Sequence, residues 1–332
     1  MRAMVLDAQG QAEERPLHLR DVPTPDPGPG QVRIRVRACG VCRTDLHVAE
    51  GDLAPHKLPV ALGHQVVGSV EARGEGATRF AIGARVGVPW LHQTDGVCRF
   101  CRGGRENLCE RPLFTGWDVD GGYAEALVAP EAFVYPIPGG FSDEQAAPLL
   151  CAGIIGYRSL RLTGLGTSGR LGLYGFGSAA HVIIQVAVAR GLEVYVFTRD
   201  APHRRLAEQL GARWAGDTFD RPPVLLDAAI IFAPAGEIVP AALKALDRGG
   251  SVVCAGIHMS PIPSFAYDDL YWERRILSVA NNTREDGEQF LAEAARIPVR
   301  SHVETFPLDA ANDALIALKQ DRIRGGSAVL ML

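Results

Sequence analysis

The chain has 332 residues, enough for two domains of ordinary size, and 47% of them are hydrophobic while 22% are charged. The formal net charge of −4 argues against a nucleic-acid-binding surface, which needs a basic stripe. The longest apolar stretch, AAPLLCAGIIGY (146–157), is too short to span a membrane, and the N-terminus lacks a secretory signal pattern, so we expect a cytoplasmic protein.

The first part of the chain shows the pattern of antiparallel β-strands. Short runs of Val and Ile, often alternating with polar residues and interrupted by glycine, occur in QVRIRVRACG (31–40), GHQVVGSVEARGEG (63–76) and GARVGVPW (83–90). This part is therefore predicted to be mostly β.

Three residues from distant segments form one candidate metal site. Cys42, His64 and Cys151 supply two sulfurs and one nitrogen, the ligand set of a catalytic zinc whose fourth position stays open for water or substrate. Each residue alone is a weak signal, because an isolated histidine is usually a core or surface residue and an isolated cysteine a small buried hydrophobe.

A second candidate site lies within the segment DGVCRFCRGGRENLC (95–109). Asp95, Cys98, Cys101 and Cys109 have the spacing D-x2-C-x2-C-x7-C, and zinc accepts a carboxylate oxygen about as readily as a thiolate. Four protein ligands leave no position for substrate, so this zinc would be structural. The alternative is that Asp95 is a turn residue before Gly96 and that the cysteines are free thiols.

After residue 140 the pattern changes to that of a parallel sheet covered on both faces. Compact apolar runs alternate with helical patterns, which indicates a doubly wound α/β domain; the runs are LGLYGFG (171–177), EVYVFT (193–198), AAIIFA (228–233), SVVCAG (251–256) and ILSVA (276–280). From about residue 297 the pattern returns to strand and helix. We expect a first domain of residues 1–148 completed by 297–332, and a second domain of residues 149–296.

The turn after the first of these runs has the pattern of a dinucleotide site. Gly175, Gly177 and Ala180 form G-x-G-x-x-A between an apolar strand and a helix, where a tight turn and a helix N-terminus bind pyrophosphate. The alternative is an ordinary strand-to-helix turn without a ligand.

The end of the next predicted strand bears on the choice of cofactor. An acidic side chain there would bind the ribose hydroxyl of NAD, but this chain has Thr198 followed by Arg199. We therefore expect NADP(H) to be favoured, with NAD(H) as the alternative, and with Arg204 or Arg205 as a second positive charge. Asp200 is interpreted as a helix cap, although it could also bind a hydroxyl, and the arginines could simply be solvated.

Taken together, these motifs resemble those of the zinc-dependent alcohol dehydrogenases of the medium-chain dehydrogenase/reductase superfamily. The resemblance rests on GVCRTDLH, GHQVVG, D-x2-C-x2-C-x7-C, CAG and the glycine turn, in that order over nearly the whole chain; CAGIIGYRSL, GFGSAAH and CAGIHMSPIPSF are similar to the bacterial, cinnamyl-alcohol-dehydrogenase-like subgroup. The family pattern implies a GroES-like β-barrel catalytic domain that holds two zinc ions, and a Rossmann cofactor domain.

The resemblance also implies roles for four residues of the segment CRTDLH. Thr44 matches the hydroxyl that binds the substrate oxygen, and His47 matches the imidazole that ends a proton relay. Arg43 matches a contact to the cofactor pyrophosphate, and Asp45 matches the carboxylate that orients the zinc ligand His64. The alternative for Thr44 and His47 is a hydroxyl in a local turn and a solvated loop histidine.

Three residues depart from the family pattern. Gln65 stands where a glutamate usually follows the ligand histidine, so that one negative charge near the zinc is missing. Ile155 replaces a threonine that is common beside the nicotinamide. Asp95 stands where the family usually has a first cysteine, which affects only the structural site.

The resulting prediction is an enzyme that interconverts alcohols with aldehydes or ketones by hydride transfer. Trp90 and Trp117 are candidate walls of an apolar substrate pocket, although an isolated tryptophan is more often a core residue. The alternatives are an enoyl or quinone reductase, which usually lacks the zinc ligands, and a zinc-ribbon binding module. We expect small-molecule substrates, a homodimer or homotetramer, and neither nucleic-acid nor membrane partners.

Overall fold

The structure is a computed structural model that describes residues 1–297, 299–323 and 326–332. The chain divides into two compact units. Unit 1 comprises Met1–Cys151, Thr283–Leu291 and Ser301–Leu332, and unit 2 comprises Ala152–Asn282 and Ala292–Arg300.

The strands of the described residues fall into four sheets. In chain order they are β1 (Arg2–Leu6), β2 (Leu17–Asp21), β3 (Gln31–Val41), β4 (Val60–Ala61), β5 (Val66–Arg73), β6 (Arg85–Val88), β7 (Leu91–Gln93), β8 (Leu113–Phe114), β9 (Ala126–Pro130), β10 (Tyr135–Pro136), β11 (Arg170–Tyr174), β12 (Glu193–Phe197), β13 (Trp214–Gly216), β14 (Leu226–Ile231), β15 (Leu246–Cys254), β16 (Arg275–Ser278), β17 (Val303–Pro307) and β18 (Ser327–Met331).

The α-helices are α1 (Arg43–Glu50), α2 (Arg99–Arg102), α3 (Asp143–Ala146), α4 (Ala152–Thr163), α5 (Ser178–Ala189), α6 (Ala201–Gln209), α7 (Ile238–Ala245), α8 (Arg284–Arg296) and α9 (Ala311–Lys319). Short 3₁₀ helices occur at Ala12–Glu14, Glu106–Leu108, Glu131–Phe133, Ala147–Leu150, Tyr267–Asp269 and Leu308–Ala310. Among the helices of the described ranges, none combines the length and the apolar character needed to cross a membrane.

Unit 1 is built around a largely antiparallel sheet with the order β10-β6-β5-β3-β18-β17, in which β9 also pairs with β3. In β3 the side chains alternate as the sequence pattern predicts: Val32, Ile34 and Val36 are buried, whereas Arg35 is exposed. The C-terminal strand β18 pairs antiparallel with β3, Leu330 lying opposite Cys39. The end of the chain is therefore part of the sheet that carries the N-terminal motifs.

Unit 2 contains a six-stranded parallel sheet with the order β13-β12-β11-β14-β15-β16. Its central strands are buried on both faces: in β11, Leu171 and Leu173 lie on one face and Gly172 and Tyr174 on the other, and all four are buried. From β11 the chain proceeds to β12 and β13 on one side, and β14, β15 and β16 follow on the other side of β11. The boundary between β11 and β14 is therefore the switch point, where α/β sheets bind ligands at the carboxyl ends of their strands. The doubly wound sheet expected from the sequence is present, with the short strand β13 added at its edge.

Candidate metal and cofactor sites

The three candidate ligands of the open site converge in unit 1. The Sγ atoms of Cys42 and Cys151 and a ring nitrogen of His64 lie within 4.8 Å of one another. Cys42 immediately precedes α1, His64 lies between β4 and β5, and Cys151 follows the 3₁₀ helix at Ala147–Leu150. Three elements far apart in the sequence thus bring two thiols and one imidazole to a single point.

His64 carries the clearest sign that this cluster suits a metal ion. Its side chain is buried, and Nδ1 donates to Asp45 Oδ1 at 3.1 Å. Its Nε2 is buried without a hydrogen-bond partner among the described residues. An unpaired buried nitrogen is costly, whereas a zinc ion between Nε2 and the two sulfurs would satisfy it. The donor set therefore fits zinc.

The electrostatics of the metal-free cluster also favour a cation. Burial would lower the pKa of the His64 imidazole, but the charge and hydrogen bond of Asp45, together with the charge of the Cys42 sulfur, outweigh burial and raise this pKa to about 10. The hydrogen bond from the Cys151 thiol lowers the pKa of Cys42, and the same contact, with burial, raises the pKa of Cys151. The cluster thus holds protons that a bound metal would displace.

Asp45 connects the two segments that carry Cys42 and His64. In addition to the His64 ring, its carboxylate accepts hydrogen bonds from the Cys42 N–H at 2.8 Å and the Gly63 N–H at 3.1 Å, and from the Tyr123 hydroxyl at 3.2 Å. Asp45 and Tyr123 are buried. One carboxylate therefore joins the backbone of both ligand segments and fixes the orientation of the imidazole.

Thr44 and His47 lie three residues apart in α1 and so occupy one side of that helix. Thr44 is buried, and its Oγ1 lies 3.8 Å from Cys42 Sγ. The His47 ring, with 15% of its side chain exposed, contacts Asp52 through Nδ1 at 2.8 Å. The helix thus carries a hydroxyl beside the open cluster and an imidazole nearer to solvent.

Two of the residues that depart from the family pattern lie close to this cluster in sequence. Gln65 is buried, and its side chain packs against Gly40, where an added Cβ would lie 2.5 Å from Gln65 Oε1. Gln65 is therefore a neutral buried residue directly before β5. Ile155 is partly exposed in the first turn of α4, where its carbonyl accepts a hydrogen bond from Ser159.

The second candidate site also forms a compact cluster in unit 1. One ligand atom each from Asp95, Cys98, Cys101 and Cys109 lies within 4.8 Å of the others. Asp95 Oδ1 accepts hydrogen bonds from the N–H groups of Val97 and Cys98, both at 2.9 Å, and these bonds lower the pKa of the carboxyl group. Asp95 Oδ2 is buried without a hydrogen-bond partner in the described part of the chain. One oxygen shapes the turn, and the other faces the exposed Arg111 guanidinium at 3.5 Å, a weak ion pair with which a metal could compete.

Backbone N–H groups also point at the sulfur atoms of this cluster. The Asp95 and Arg111 N–H groups donate to Cys109 Sγ at 3.3 and 3.4 Å, and the Cys101 N–H donates to Cys98 Sγ at 3.5 Å. The Cys101 N–H lowers the pKa of Cys98. This contact favours the thiolate of Cys98, the form that binds zinc, whereas burial raises the pKa of Cys101 to about 12. Four donors around one point fit a closed tetrahedral site.

Aromatic rings extend from the open cluster towards the surface. Trp90 is buried and meets the His64 ring edge-on, with 4.8 Å between centroids. Trp90 stacks with Phe114 at 4.9 Å and with Trp117 at 5.7 Å, and the exposed His56 stacks on Trp117 at 3.8 Å. Trp117 is fixed by a hydrogen bond from its Nε1 to a backbone carbonyl, that of Ala54. Neither Phe114 nor His56 lies in a recognisable sequence motif, and only the stacking in the folded chain reveals them.

The glycine turn lies at the carboxyl end of β11. Gly175 has φ = +84°, and a Cβ there would lie 3.0 Å from the backbone nitrogen of Ala233, so that glycine is required. Gly177 precedes α5, and a Cβ on it would meet no atom within 4 Å. Ala180 is fully buried in the first turn of this helix. The turn leaves open space in front of a helix N-terminus, as pyrophosphate binding needs.

The residues that follow β12 differ in their exposure and in their hydrogen bonds. Thr198 is buried, and its carbonyl accepts a hydrogen bond from Arg204 at 2.8 Å. Arg199 is exposed. Asp200 occupies the N-cap position of α6 but makes no side-chain cap bond; its carboxylate lies 3.6 Å from His203. Arg204 is thus bound to its own loop.

Arg43 lies in the first turn of α1 and is partly exposed. Its guanidinium forms an ion pair with Asp321. An exposed pair of this kind is weak, so a phosphate can compete for the guanidinium.

Comparisons with known proteins agree with the motifs. Residues 28–139 match the alcohol dehydrogenase GroES-like domain and residues 180–296 match the zinc-binding dehydrogenase family. A protein from Mycobacterium tuberculosis named probable alcohol dehydrogenase AdhA is 53% identical over 300 residues, which cover 89% of this chain and 87% of that protein. An alcohol dehydrogenase from Geobacillus stearothermophilus is 36% identical over 325 residues, covering 94% and 95%.

The fold is also that of a solved relative. A cinnamyl alcohol dehydrogenase from Sorghum bicolor superposes with a TM-score of 0.90 at 28% identity, covering 99% of this chain and 97% of that one. The architecture is thus a GroES-like domain combined with a Rossmann domain.

Proposed function

The chain belongs to the zinc-binding alcohol dehydrogenase family, and we propose that Cys42, His64 and Cys151 form its catalytic centre. The protein is a zinc-dependent oxidoreductase that interconverts alcohols with aldehydes or ketones and uses a nicotinamide cofactor. Neither an enoyl or quinone reductase nor a zinc-ribbon binding module is favoured by these relationships. The observation that carries the proposal is the convergence of two thiols with an imidazole whose buried Nε2 has no hydrogen-bond partner among the residues that the structure describes.

We propose two zinc ions per chain. The second is held by Asp95, Cys98, Cys101 and Cys109, whose four donors leave no position for substrate, and its role is structural. The first has three protein ligands and an open position. Asp45 supports it by orienting His64, while Gln65 adds no charge beside it.

The proton path follows α1. Cys42, His64 and Cys151 would hold the zinc, which would supply Lewis acidity towards the alcohol oxygen, and the glycine turn would hold the nicotinamide that takes the hydride. Thr44 Oγ1 would accept the alcohol proton while giving up its own proton towards His47, and His47 would release a proton to solvent. The burial of Thr44 and the partial exposure of His47 support this direction, because the path leads from a dry cluster to water.

The nicotinamide cofactor is bound at the turn of Gly175, Gly177 and Ala180, with Arg43 as a contact to its pyrophosphate. We propose that NADP(H) is preferred over NAD(H). The support is that Thr198 places no carboxylate after β12, while Arg199 is exposed and can pair with a phosphate. Because Arg204 is bound to the Thr198 carbonyl, Arg205 is the better candidate for a second charge.

The substrate pocket is apolar, with Trp90 as its inner wall and Trp117 further from the metal. The contact between the Trp90 and His64 rings supports this assignment, because a group bound at the open metal position would lie beside the indole. Stacking on Phe114 holds the Trp90 plane in place.

We also propose domain boundaries, an oligomeric state and a cellular compartment for the protein. We propose that residues 1–148, completed by 297–332, form the catalytic domain and that residues 149–296 bind the cofactor; of the latter, residues 149–151 and 283–291 group with unit 1, so that Cys151 belongs with the other zinc ligands. A homodimer or homotetramer is supported by β16, which is an edge strand of its sheet and is preceded by the exposed aromatic residues Tyr267, Tyr271 and Trp272.

All seven cysteines are free thiols, which suits a reducing compartment such as the cytoplasm.

A panel of alcohols and carbonyl compounds tests this function. Purified enzyme is assayed with primary, secondary and aryl alcohols and with the matching aldehydes and ketones, each with NAD(H) and NADP(H), and its zinc content is measured. We expect reversible alcohol oxidation that a zinc chelator abolishes. Turnover that persists after complete removal of zinc would overturn the proposed centre.

A further inference from the structure

The Asp45 carboxylate has one bonded partner from outside the two segments that carry Cys42 and His64. Its partners Cys42, Gly63 and His64 belong to those segments, whereas Tyr123 lies 78 positions after Asp45, shortly before β9. The Tyr123 hydroxyl lies 3.2 Å from Oδ2, and the His64 imidazole lies 3.1 Å from Oδ1. A phenol and an imidazole therefore share one buried carboxylate.

The Tyr123 ring is fixed by its own backbone and by a neighbouring glycine. Its N–H donates to the Leu62 carbonyl at 2.9 Å, and its carbonyl accepts from the Met4 N–H at 2.8 Å. The ring is fully buried beside Gly63, where an added Cβ would lie 2.4 Å from Tyr123 Cδ1. Gly63 also has φ = +92°, a value that favours glycine. These surroundings hold the hydroxyl at the carboxylate.

The Tyr123 hydroxyl keeps its proton and is the donor in this contact. Burial and the negative charge of Asp45 raise the pKa of the phenol, and an ionised carboxylate has no proton to donate. The other titratable groups near the ring are the thiols of Cys39 and Cys42. Burial raises the pKa of Cys39, and its thiol donates to the Gly40 carbonyl at 3.7 Å.

We propose that Tyr123 is a positioning residue that acts on His64 through Asp45, an inference that rests on the proposed role of Cys42, His64 and Cys151 as the catalytic centre. Each donor that a carboxylate accepts stabilises its negative charge and weakens its pull on the remaining donors. The phenol at Oδ2 thus limits the pull of Asp45 on the Nδ1 proton. Because a stronger pull on that proton makes Nε2 a stronger electron donor, Tyr123 preserves the Lewis acidity of a metal bound at Nε2.

Tyr123→Phe is the matched perturbation, because phenylalanine keeps the ring and removes only the hydroxyl. Tyr135→Phe is the control: Tyr135 is also buried in unit 1, on β10. Both variants should fold and retain the zinc content of the parent.

Proton NMR of zinc-loaded protein labelled at its histidine nitrogens gives a readout independent of turnover. The His64 signals are assigned by their loss in His64→Gln. Loss of the phenol should strengthen the bond from Nδ1–H to Asp45, so we expect this proton to resonate further downfield in Tyr123→Phe and at the parent position in Tyr135→Phe. An unchanged or upfield resonance in Tyr123→Phe would overturn the proposal, because a merely structural loss leaves that bond as it is or lengthens it.

The pH dependence of kcat tests the consequence for the reaction. It is measured for alcohol oxidation under conditions where deuterated alcohol shows a primary isotope effect. In Tyr123→Phe we expect kcat at neutral pH to fall by up to about 10-fold, less than the roughly 10–100-fold cost of losing a direct partner of a metal ligand, and to recover as the pH rises. Parent-like kcat at every pH, or a loss that is equal at every pH, would overturn the proposal.

The outcomes distinguish this inference from the proposed zinc centre. If removal of zinc leaves the His64 signals of the parent unchanged, the metal does not bind at Nε2 and both proposals fail. If those signals respond to zinc but the Nδ1–H resonance of Tyr123→Phe does not move downfield, the centre stands and the role of Tyr123 is refuted.

Discussion

Asp95→Asn separates the two tasks of the Asp95 carboxylate. Oδ1 accepts two backbone hydrogen bonds at 2.9 Å, whereas Oδ2 has no hydrogen-bond partner in the described residues and only an ion-pair contact of 3.5 Å with Arg111. Asparagine can keep the first oxygen in place but substitutes an NH2 group, which cannot bind zinc, for the second. The turn should therefore survive while the closed site loses one of its four ligands.

The expected magnitude follows from the number of ligands. Loss of a residue that merely supports a ligand weakens metal binding by about 10–100-fold, so loss of a ligand should weaken zinc binding at this site by at least about 100-fold. After dialysis against a moderate chelator, zinc should fall from about two ions per chain to about one. Asp95→Cys restores four ligands and should retain both ions. Asp247→Asn, which alters another carboxylate bonded to backbone, is the control.

Zinc release is followed with a metal-sensitive dye, and turnover is measured on the same samples. Because the closed site has no position for substrate, the folded Asp95→Asn enzyme should keep its catalytic zinc and turn over. Two zinc ions per chain with parent-like release in Asp95→Asn would remove Asp95 from the ligand set.

Three further predictions follow from the proposed centre, the cofactor loop and a buried histidine. Thr44→Val should lower turnover by about 10²–10⁴-fold with both zinc ions retained, and parent-like turnover with hydride transfer still rate-limiting would exclude the relay. Arg199→Ala should lower kcat/KM for NADP(H) selectively; a parent that prefers NAD(H), or a variant with its full NADP(H) preference, would contradict the assignment. Burial lowers the pKa of His92 to about 4, whereas this imidazole binds a proton near pH 6.5 in the unfolded chain. The free energy of unfolding should therefore decrease as the pH falls from about 6.5 to 4, by roughly 3 kcal/mol. Denaturant titrations at a series of pH values measure this decrease. His92→Gln should remove this component, and identical pH slopes in parent and variant would refute it.

The fold could be anticipated wherever a pattern reflects burial. The runs that became β11 and β12 are apolar because both faces of their sheet are covered, and the alternation in β3 reflects one covered face. The three-residue strand β13, Trp214–Gly216, was missed because so short a segment carries no periodicity.

The candidate site could be predicted only where its chemistry is local or resembles a known pattern. The spacing of Cys98 and Cys101 indicates a metal by itself, whereas nothing in the spacing of Cys42 and Cys151 brings them together. The bond from Tyr123 to Asp45 joins residues 78 positions apart through tertiary packing. The contact of Asp52 with His47 depends on the turn at Gly51, whose geometry the sequence pattern does not specify.

Cobalt substitution at the open site tests the central claim most directly. Co²⁺ reports its ligands through visible absorption bands, so enzyme with cobalt at Cys42, His64 and Cys151 and zinc at the closed site is titrated with an alcohol substrate in the presence of oxidised cofactor. We expect a saturable change in these bands at the alcohol concentrations that support turnover, and no such change in Cys42→Ser. Cobalt bands that ignore the alcohol while the enzyme continues to oxidise it would contradict the assignment of this cluster as the catalytic centre.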